Sequence, residues 1–166
     1  GDRNSSDIVD LILRDHKPIK ELIEILKDGD VAMSKKRPAY IEFEKLLSSH
    51  ASAEEESLYV HMENNDYFRV EGLEGETEHA IADQLMIEIN QIKDDGDRWM
   101  AKVKVLAELV DHHVKEEERD ILKDISKKFD LETRTEIGKE YSQFLSELRE
   151  DGLQTNTHEQ RSEEQV

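Results

Sequence analysis

Two segments of the chain place a histidine four residues before a glutamate, His50 with Glu54 and His113 with Glu117. Residues four apart share one face of a helix, so each imidazole can lie beside its carboxylate. Both pairs interrupt stretches in which Leu, Ile, Val and Phe recur at helical spacing, which predicts that they face a core. Imidazole and carboxylate groups on a buried face are typical metal ligands.

A further histidine precedes each pair by the same distance. The spacing from His16 to His50 equals the spacing from His79 to His113, so the second set copies the first at one constant offset. Two helical hairpins packed in pseudo-twofold fashion would bring both copies to one level of a bundle core. The predicted metal ligands are His16, His50, Glu54, His79, His113 and Glu117.

Burial strengthens this interpretation. An ionised carboxylate in a core is costly unless an opposite charge accompanies it, and Lys20 is the nearest cationic residue to these apolar faces. A single histidine on an apolar face is more often an ordinary core residue, but two identical sets favour metal. Four imidazoles and two carboxylates suit iron, manganese or zinc. If the carboxylates bridge two metals, open positions remain for a diatomic molecule or peroxide.

Other polar residues near these pairs receive minor roles. His61 is three turns beyond His50, about 16 Å away along a continuous helix, and His112 points about 100° away from its neighbour. The remaining glutamates of the two Glu-Glu-Glu runs are predicted to face solvent. Tyr59 is a weak candidate proton donor, and the sequence singles out no catalytic residue.

Hydrophobic periodicity places these residues on helices. Helices are predicted over 5–28, 38–64, 76–93, 97–128 and 131–150, with a loop over 65–75. The predicted fold is all-α: an up-down-up-down antiparallel four-helix bundle with an extra C-terminal helix. The bundle is expected to occupy residues 1–150, followed by a polar, disordered tail over 151–166.

Composition excludes several classes of protein. The 166 residues include no cysteine, so disulfides, iron–sulfur clusters and thiol nucleophiles are excluded. A net charge of −18 disfavours binding to nucleic acid or anionic membranes. The first residues have no basic-then-apolar signal pattern. We therefore expect a cytoplasmic protein, and no protein partner is indicated.

The full pattern resembles the hemerythrin-like, or HHE cation-binding, family. The matching motifs are Asp15-His16, His50-x-x-x-Glu54, Glu78-His79 and His113-x-x-x-Glu117. The resemblance implies two non-haem iron ions, Fe²⁺ or Fe³⁺, bridged by the two glutamates and an oxo or hydroxo group.

The resemblance also bears on function. Oxygen-carrying hemerythrins have a fifth histidine one turn after the third-helix histidine, where this chain has Asp83. Lys20 occupies the corresponding position of the first half. This departure implies sensing or detoxification of O₂, NO or peroxide rather than simple oxygen carriage. It leaves peroxidase-like, catalase-like or oxidase activity open, with Asp83 as a less favoured seventh ligand.

Two alternatives remain. A ferritin-like di-iron carboxylate enzyme would use two Glu-x-x-His motifs, whereas only Glu76 and His79 have that spacing near the set. The other alternative is a metal-free or metal-stabilised helical interaction module.

Overall fold

A computed structural model describes the backbone of residues 5–164 and the side chains of residues 5–151. The described residues form helices joined by short connections and include no strand, which confirms the predicted all-α class. Its elements are α1 (Ile8–Lys27), α2 (Met33–Glu55), α3 (Leu58–Glu63), α4 (Arg69–Gln91), α5 (Gly96–Glu116), a π-helical turn (Glu117–Ile121), α6 (Leu122–Lys128) and α7 (Leu131–Glu164).

The first helix begins at a side-chain cap and carries one apolar face. Asp7 Oδ1 accepts a hydrogen bond from the backbone N–H of Val9 at 3.0 Å, which satisfies a free donor of the first turn. Seven apolar residues of α1 and one histidine are buried: Ile8, Leu11, Ile12, His16, Ile19, Leu22, Ile23 and Leu26. Helix α1 packs against α2, α5 and α7.

The second predicted helix is interrupted. Helix α2 ends at Glu55, and Ser57 takes φ −126° and ψ −85° before α3 begins at Leu58. The Ser57 hydroxyl donates to the Ala53 carbonyl at 2.6 Å, and this satisfies one carbonyl of the last turn. The prediction of one helix over 38–64 was therefore wrong at this point, and side chains after Ser57 point in directions that a continuous helix would not give.

The predicted loop over 65–75 is largely helical. Helix α4 begins at Arg69, and Gly72 and Gly75 lie inside it and are buried. A Cβ at Gly75 would lie 2.7 Å from the Tyr59 ring, and one at Gly72 would lie 3.1 Å from Met62 Cβ. The two glycines therefore allow close packing of α4 against α3, whereas the sequence pattern treated them as turn residues.

The fourth predicted helix changes pitch in the middle. Asp95 caps α5 by accepting from the Arg98 N–H at 3.0 Å, and α5 continues to Glu116. Residues Glu117–Ile121 then form a π turn, in which the N–H of Leu122 reaches the Glu117 carbonyl. Such turns occur often at functional sites, because an extra residue reorients the side chains around it.

Helix α7 lies against α1, α2 and α3. Ile137 and Tyr141 are fully buried, and Arg134 Nε donates to Asp7 Oδ2 at 3.0 Å. Gly138 meets the backbone of Ser6 so closely that a Cβ would overlap the carbonyl oxygen. The helix extends to Glu164 rather than ending near Gly152. The domain boundary at 150 and the disorder of 151–166 stay predictions.

Two apolar clusters leave a polar layer between them. Along α1, His16 lies between Ile12 of one cluster and Ile19 of the other. Along α2, the polar pair lies beside Leu47 of one cluster and Ala53 of the other. Among the described helices, none combines the length and the apolar character that a membrane span requires.

Candidate metal centre

The six predicted ligands converge in this polar layer. In one group, the Nε2 atoms of His16 and His50 are 3.2 Å apart, and His16 Nε2 is 3.5 Å from Glu117 Oε1. His50 Nε2 is 3.6 Å from Glu54 Oε1. The ligand atoms of His16, His50, Glu54 and Glu117 all lie within 4.8 Å of one another, and all four residues are buried.

A second group shares one carboxylate with the first. His79 Nε2 is 3.4 Å from Glu54 Oε1, and His113 Nε2 is 3.2 Å from Glu117 Oε2. Glu54, His79 and His113 likewise have ligand atoms within 4.8 Å of one another. Glu54 and Glu117 are fully buried and each contacts histidines of both halves of the chain. Their placement suits carboxylates that connect two cation positions.

Each histidine is also held at its outer nitrogen. His16 Nδ1 lies 2.8 Å from Glu118 Oε2 and His79 Nδ1 lies 2.9 Å from Glu55 Oε1. Glu55 and Glu118 are related by the same offset as the inner ligands, so the repeat includes these outer contacts. The prediction that both glutamates face solvent was wrong, and their matching offset was the signal in the sequence.

The other two histidines have different outer partners. His113 Nδ1 lies 2.7 Å from Glu78 Oε2, whereas His50 Nδ1 lies 2.7 Å from the Tyr141 hydroxyl. That hydroxyl donates to Asp15 Oδ2 at 2.5 Å. An ionised carboxylate can only accept, so these contacts place a proton on Nδ1 and leave Nε2 directed inward, where a neutral ring presents a lone pair. This is the arrangement in which histidine binds a metal.

The interior therefore has many acceptors and few donors. Glu54 Oε1, Glu54 Oε2 and Glu117 Oε1 are buried without a hydrogen-bond partner, and the inward nitrogens of His16 and His50 face each other. Unpaired buried acceptors are costly and are rare in folded proteins. Cations at this position would satisfy all of them, so the side chains present fit a metal centre.

The pKa values of the buried groups also indicate that the layer lacks positive charge. Burial, followed by the nearby Glu117 carboxylate, raises the pKa of Glu54 well above its ordinary value. Burial raises the pKa of Glu117 as well, but interactions with Glu54 and His113 outweigh it and lower that pKa. Burial and the neighbouring His16 lower the pKa of His50 to about 3.

The pKa of His113 shifts in the direction opposite to that of His50. Burial lowers its pKa, but hydrogen bonds to Glu117 and Glu78 outweigh burial and raise it to about 10. Without a metal, protons on Glu54 and His113 therefore take the place of positive charge in the layer. A metal would displace both.

Tyr59 is the residue whose position the sequence predicted least well. Its hydroxyl donates to Glu117 Oε2 at 3.1 Å and lies 3.4 Å from His113 Nε2. Its ring stacks on His79 with centroids 5.2 Å apart. A continuous helix would turn Tyr59 about 140° away from Glu54; the break at Ser57 turns it inward.

A small cavity of about 20 Å³ borders His79 and His113, which is room for one water molecule. Its wall is otherwise formed by Leu47, Ala51, Glu78, Ala82, Asp83, Leu109 and Val110. Asp83 is exposed at this wall and belongs to neither group of converging ligands. The cavity therefore lies on the side of the layer where Asp83 stands, one turn after His79.

Two further histidines lie apart from the centre. His112 is 74% exposed and pairs with Glu116, as its direction on the helix predicts. A continuous helix would place His61 on the inward face of His50, but the break before α3 moves it to the surface beside α7. There its Nε2 lies 3.1 Å from Glu140 Oε2.

Comparison with protein families finds the hemerythrin HHE cation binding domain over residues 7–125. The chain belongs to the hemerythrin HHE cation-binding family. The matched region contains all six converging side chains and α1 to α6 almost completely. Comparisons with curated proteins and with solved structures find no match. Within this HHE chain, helix α7 lies beyond the matched region.

Proposed function

We propose that this HHE protein holds two non-haem iron ions and binds a small ligand, O₂, NO or peroxide, for sensing or detoxification. The supporting observation is the buried layer in which four inward histidine nitrogens face Glu54 and Glu117. Glu54 Oε1, Glu54 Oε2 and Glu117 Oε1 have no hydrogen-bond partner there. His16, His50, His79 and His113 would each bind through Nε2, with the two glutamates between the ions. Iron, with an oxo or hydroxo bridge, would supply the redox chemistry.

The side chains around the centre have distinct roles in this proposal. The outer carboxylates fix the ring orientation and the proton on Nδ1 of three histidines. The two apolar clusters exclude water from above and below the layer. Tyr59 holds a proton on Oη at the edge of the centre, because burial and the charge of Glu117 raise its pKa well above the ordinary value.

The cavity supports ligand binding on the His79–His113 side. Its walls are mostly apolar, from Leu47, Ala51 and Ala82, and such walls suit a small uncharged molecule. Asp83 at this wall leaves space that a histidine imidazole would otherwise fill. This arrangement favours binding and reaction of a ligand over the reversible carriage that a fifth histidine accompanies.

We infer an up-down-up-down arrangement for α1, α2, α4 and α5, with α7 as an additional helix. The supporting contacts are those of α1 with α2 and α5, and of α4 with α5 and α2. The short connections between α1 and α2, and between α4 and α5, suit antiparallel neighbours.

The decisive experiment compares two adjacent histidines. Protein purified without metal and loaded with Fe²⁺ without oxygen should retain about two irons per chain, the number that the two ligand groups imply, and should develop near-ultraviolet absorption in air. His113→Ala should lose iron from its half of the centre, whereas His112→Ala should match the wild type. A wild-type chain that retains no iron would contradict the proposal.

Peroxide consumption by the loaded protein then separates detoxification from sensing. Turnover that His113→Ala abolishes and His112→Ala preserves indicates detoxification; stable ligand adducts without turnover indicate sensing. The alternative of a metal-free interaction module predicts that chelators leave the melting temperature unchanged. A bound metal should instead raise it through linkage.

A further inference from the structure

The two halves of the centre differ in one outer contact. In the second half, Glu78 Oε2 accepts directly from His113 Nδ1 at 2.7 Å. The residue at the equivalent position of the first half is Asp15, whose side chain is one methylene shorter. Asp15 does not bond to His50 directly; the hydroxyl of Tyr141 lies between them, 2.7 Å from His50 Nδ1 and 2.5 Å from Asp15 Oδ2.

Tyr141 is built into this position. It has no exposed surface, and its ring meets the His50 imidazole edge-on with centroids 6.0 Å apart. Its hydroxyl has a single proton and lies 2.5 Å from Asp15 Oδ2, which is an acceptor. That proton goes to Asp15, and the hydroxyl oxygen can then only accept from His50 Nδ1.

The consequence reaches the inner nitrogen of His50. With the proton fixed on Nδ1, His50 Nε2 carries a lone pair and points into the layer, 3.2 Å from His16 Nε2. Tyr141 therefore accepts the Nδ1 proton of His50 in a hydrogen bond, as Glu78 does for His113. It does so from α7, a helix that is anchored at the start of α1 by Arg134 and Gly138.

We propose that Tyr141, held by Asp15, is a positioning residue that orients His50 as a metal ligand, so that α7 is part of the metal centre. The inference rests on the proposed iron centre. It makes the ion beside His16 and His50 dependent on a helix outside the family-matched residues 7–125. The ion beside His79 and His113 depends on Glu78 instead.

Tyr141→Phe in the full chain removes the hydroxyl and keeps the ring. Loss of an outer partner of a histidine ligand typically weakens metal binding about 10–100-fold. We expect a chelator to extract about one of the two irons 10–100-fold faster than from the wild type, while the second leaves at the wild-type rate. Tyr67→Phe is the matched control, because Tyr67 is 54% exposed and lies away from the centre.

A second variant separates positioning from packing. Asp15→Glu combined with Tyr141→Phe copies the direct contact of Glu78 with His113, and we expect slow release of both irons to return. A purely structural tyrosine would instead lower the melting temperature of the metal-free and iron-loaded forms equally, with no rescue by the longer carboxylate. That result would overturn the inference.

The extraction experiment distinguishes the inference from the proposed function. If the wild-type chain holds no iron, the proposed function and the inference about Tyr141 are both contradicted. If the wild type holds two irons and Tyr141→Phe releases both at the wild-type rate, the inference alone is overturned. Biphasic release from Tyr141→Phe, with single-phase release from Tyr67→Phe, supports it.

Discussion

Lys20 and Asp83 occupy equivalent positions in the two halves of the chain and carry opposite charges. Lys20 Nζ donates to Glu118 Oε1 at 2.8 Å, and the other oxygen of Glu118 accepts from His16. Asp83 instead adds negative charge near Glu55, the partner of His79; burial, and then the Glu55 charge, raise the pKa of Asp83. In the first half, the Lys20 ammonium therefore pairs with the outer carboxylate Glu118. In the second half, Asp83 borders the cavity instead.

Asp83→His should block the cavity beside His79 and His113. A histidine one turn after His79 can add a seventh ligand and fill the cavity. We expect iron content to stay at the wild-type value and the affinity for azide, as a probe of the open position, to fall at least about tenfold, or about 1.4 kcal/mol. Gln84→His, at an exposed neighbouring position of α4, is the control. Unchanged azide binding by Asp83→His would place the open position elsewhere.

Glu54→Gln should change stability in opposite directions with and without metal. Above the raised pKa of Glu54, the metal-free protein must bury two mutually repelling carboxylates, and this substitution removes one of them. We therefore expect the free energy of unfolding at alkaline pH to rise by about 1–3 kcal/mol. In the iron-loaded protein it removes a shared ligand, so the melting temperature should fall below that of the wild type. Thermal unfolding of both forms tests this.

The exposed Glu56 supplies the matched control. Glu56→Gln makes the same chemical change two residues away and should leave both melting temperatures unchanged. A loss of stability in metal-free Glu54→Gln would contradict the view that the layer is strained without a cation.

Metal-free protein should lose stability as pH rises from 7 to 10. The pKa of His113 is about 10 in the fold and about 6.5 when unfolded. Its contribution is therefore complete below the unfolded pKa and disappears as pH rises through the folded one. The raised pKa of Glu54 acts in the same direction. Urea unfolding at several pH values measures the slope, and His113→Gln should flatten it.

The affinity for a metal should increase with pH, in contrast to the stability of the metal-free protein. Protons on Glu54 and His113 must leave before a cation binds, so metal affinity rises with pH. Adding Zn²⁺, a redox-inert probe, to weakly buffered protein at pH 7 should release protons that an indicator dye detects. His113→Gln should release fewer protons than His112→Gln. Equal release by the two variants would contradict a protonated His113.

The sequence predicted that the six inner side chains come together, because their positions follow a strict rule. A histidine and a glutamate on one face of a helix, repeated at a constant offset, place six side chains together when two hairpins pack. The outer carboxylates follow the same offset, as Glu55 and Glu118 show. Helical periodicity does not predict their contacts with the histidines, because it places a glutamate next to an inward residue on the solvent side.

Other features depend on events that helical periodicity does not describe. The break at Ser57 turns Tyr59 inward and His61 outward, and a π turn interrupts the predicted fourth helix from Glu117 to Ile121. Tyr141 reaches His50 from a distant part of the chain, on the last helix. Such positions follow from tertiary packing, and residue types and spacing alone carry no signal for them.

Gly75→Ala tests the close contact between Gly75 and Tyr59 that positions the Tyr59 ring. A Cβ there would lie 2.7 Å from the Tyr59 Oη and Cζ atoms, so the ring must move and its bond to Glu117 must lengthen. Overpacking of this kind costs about 1–3 kcal/mol, although alanine favours a helix over glycine. We expect a lower melting temperature and a changed near-ultraviolet spectrum of the iron-loaded protein.

The control for Gly75 is Gly29, where nothing lies within 4 Å of an added Cβ and the backbone has no positive φ. Gly29→Ala should be neutral or slightly stabilising, because it reduces the entropy of the unfolded chain. Tyr59→Leu removes the hydroxyl and most of the ring, so Gly75→Ala should cost less in that background. An equal cost in both backgrounds would show that Gly75 leaves space for something other than Tyr59.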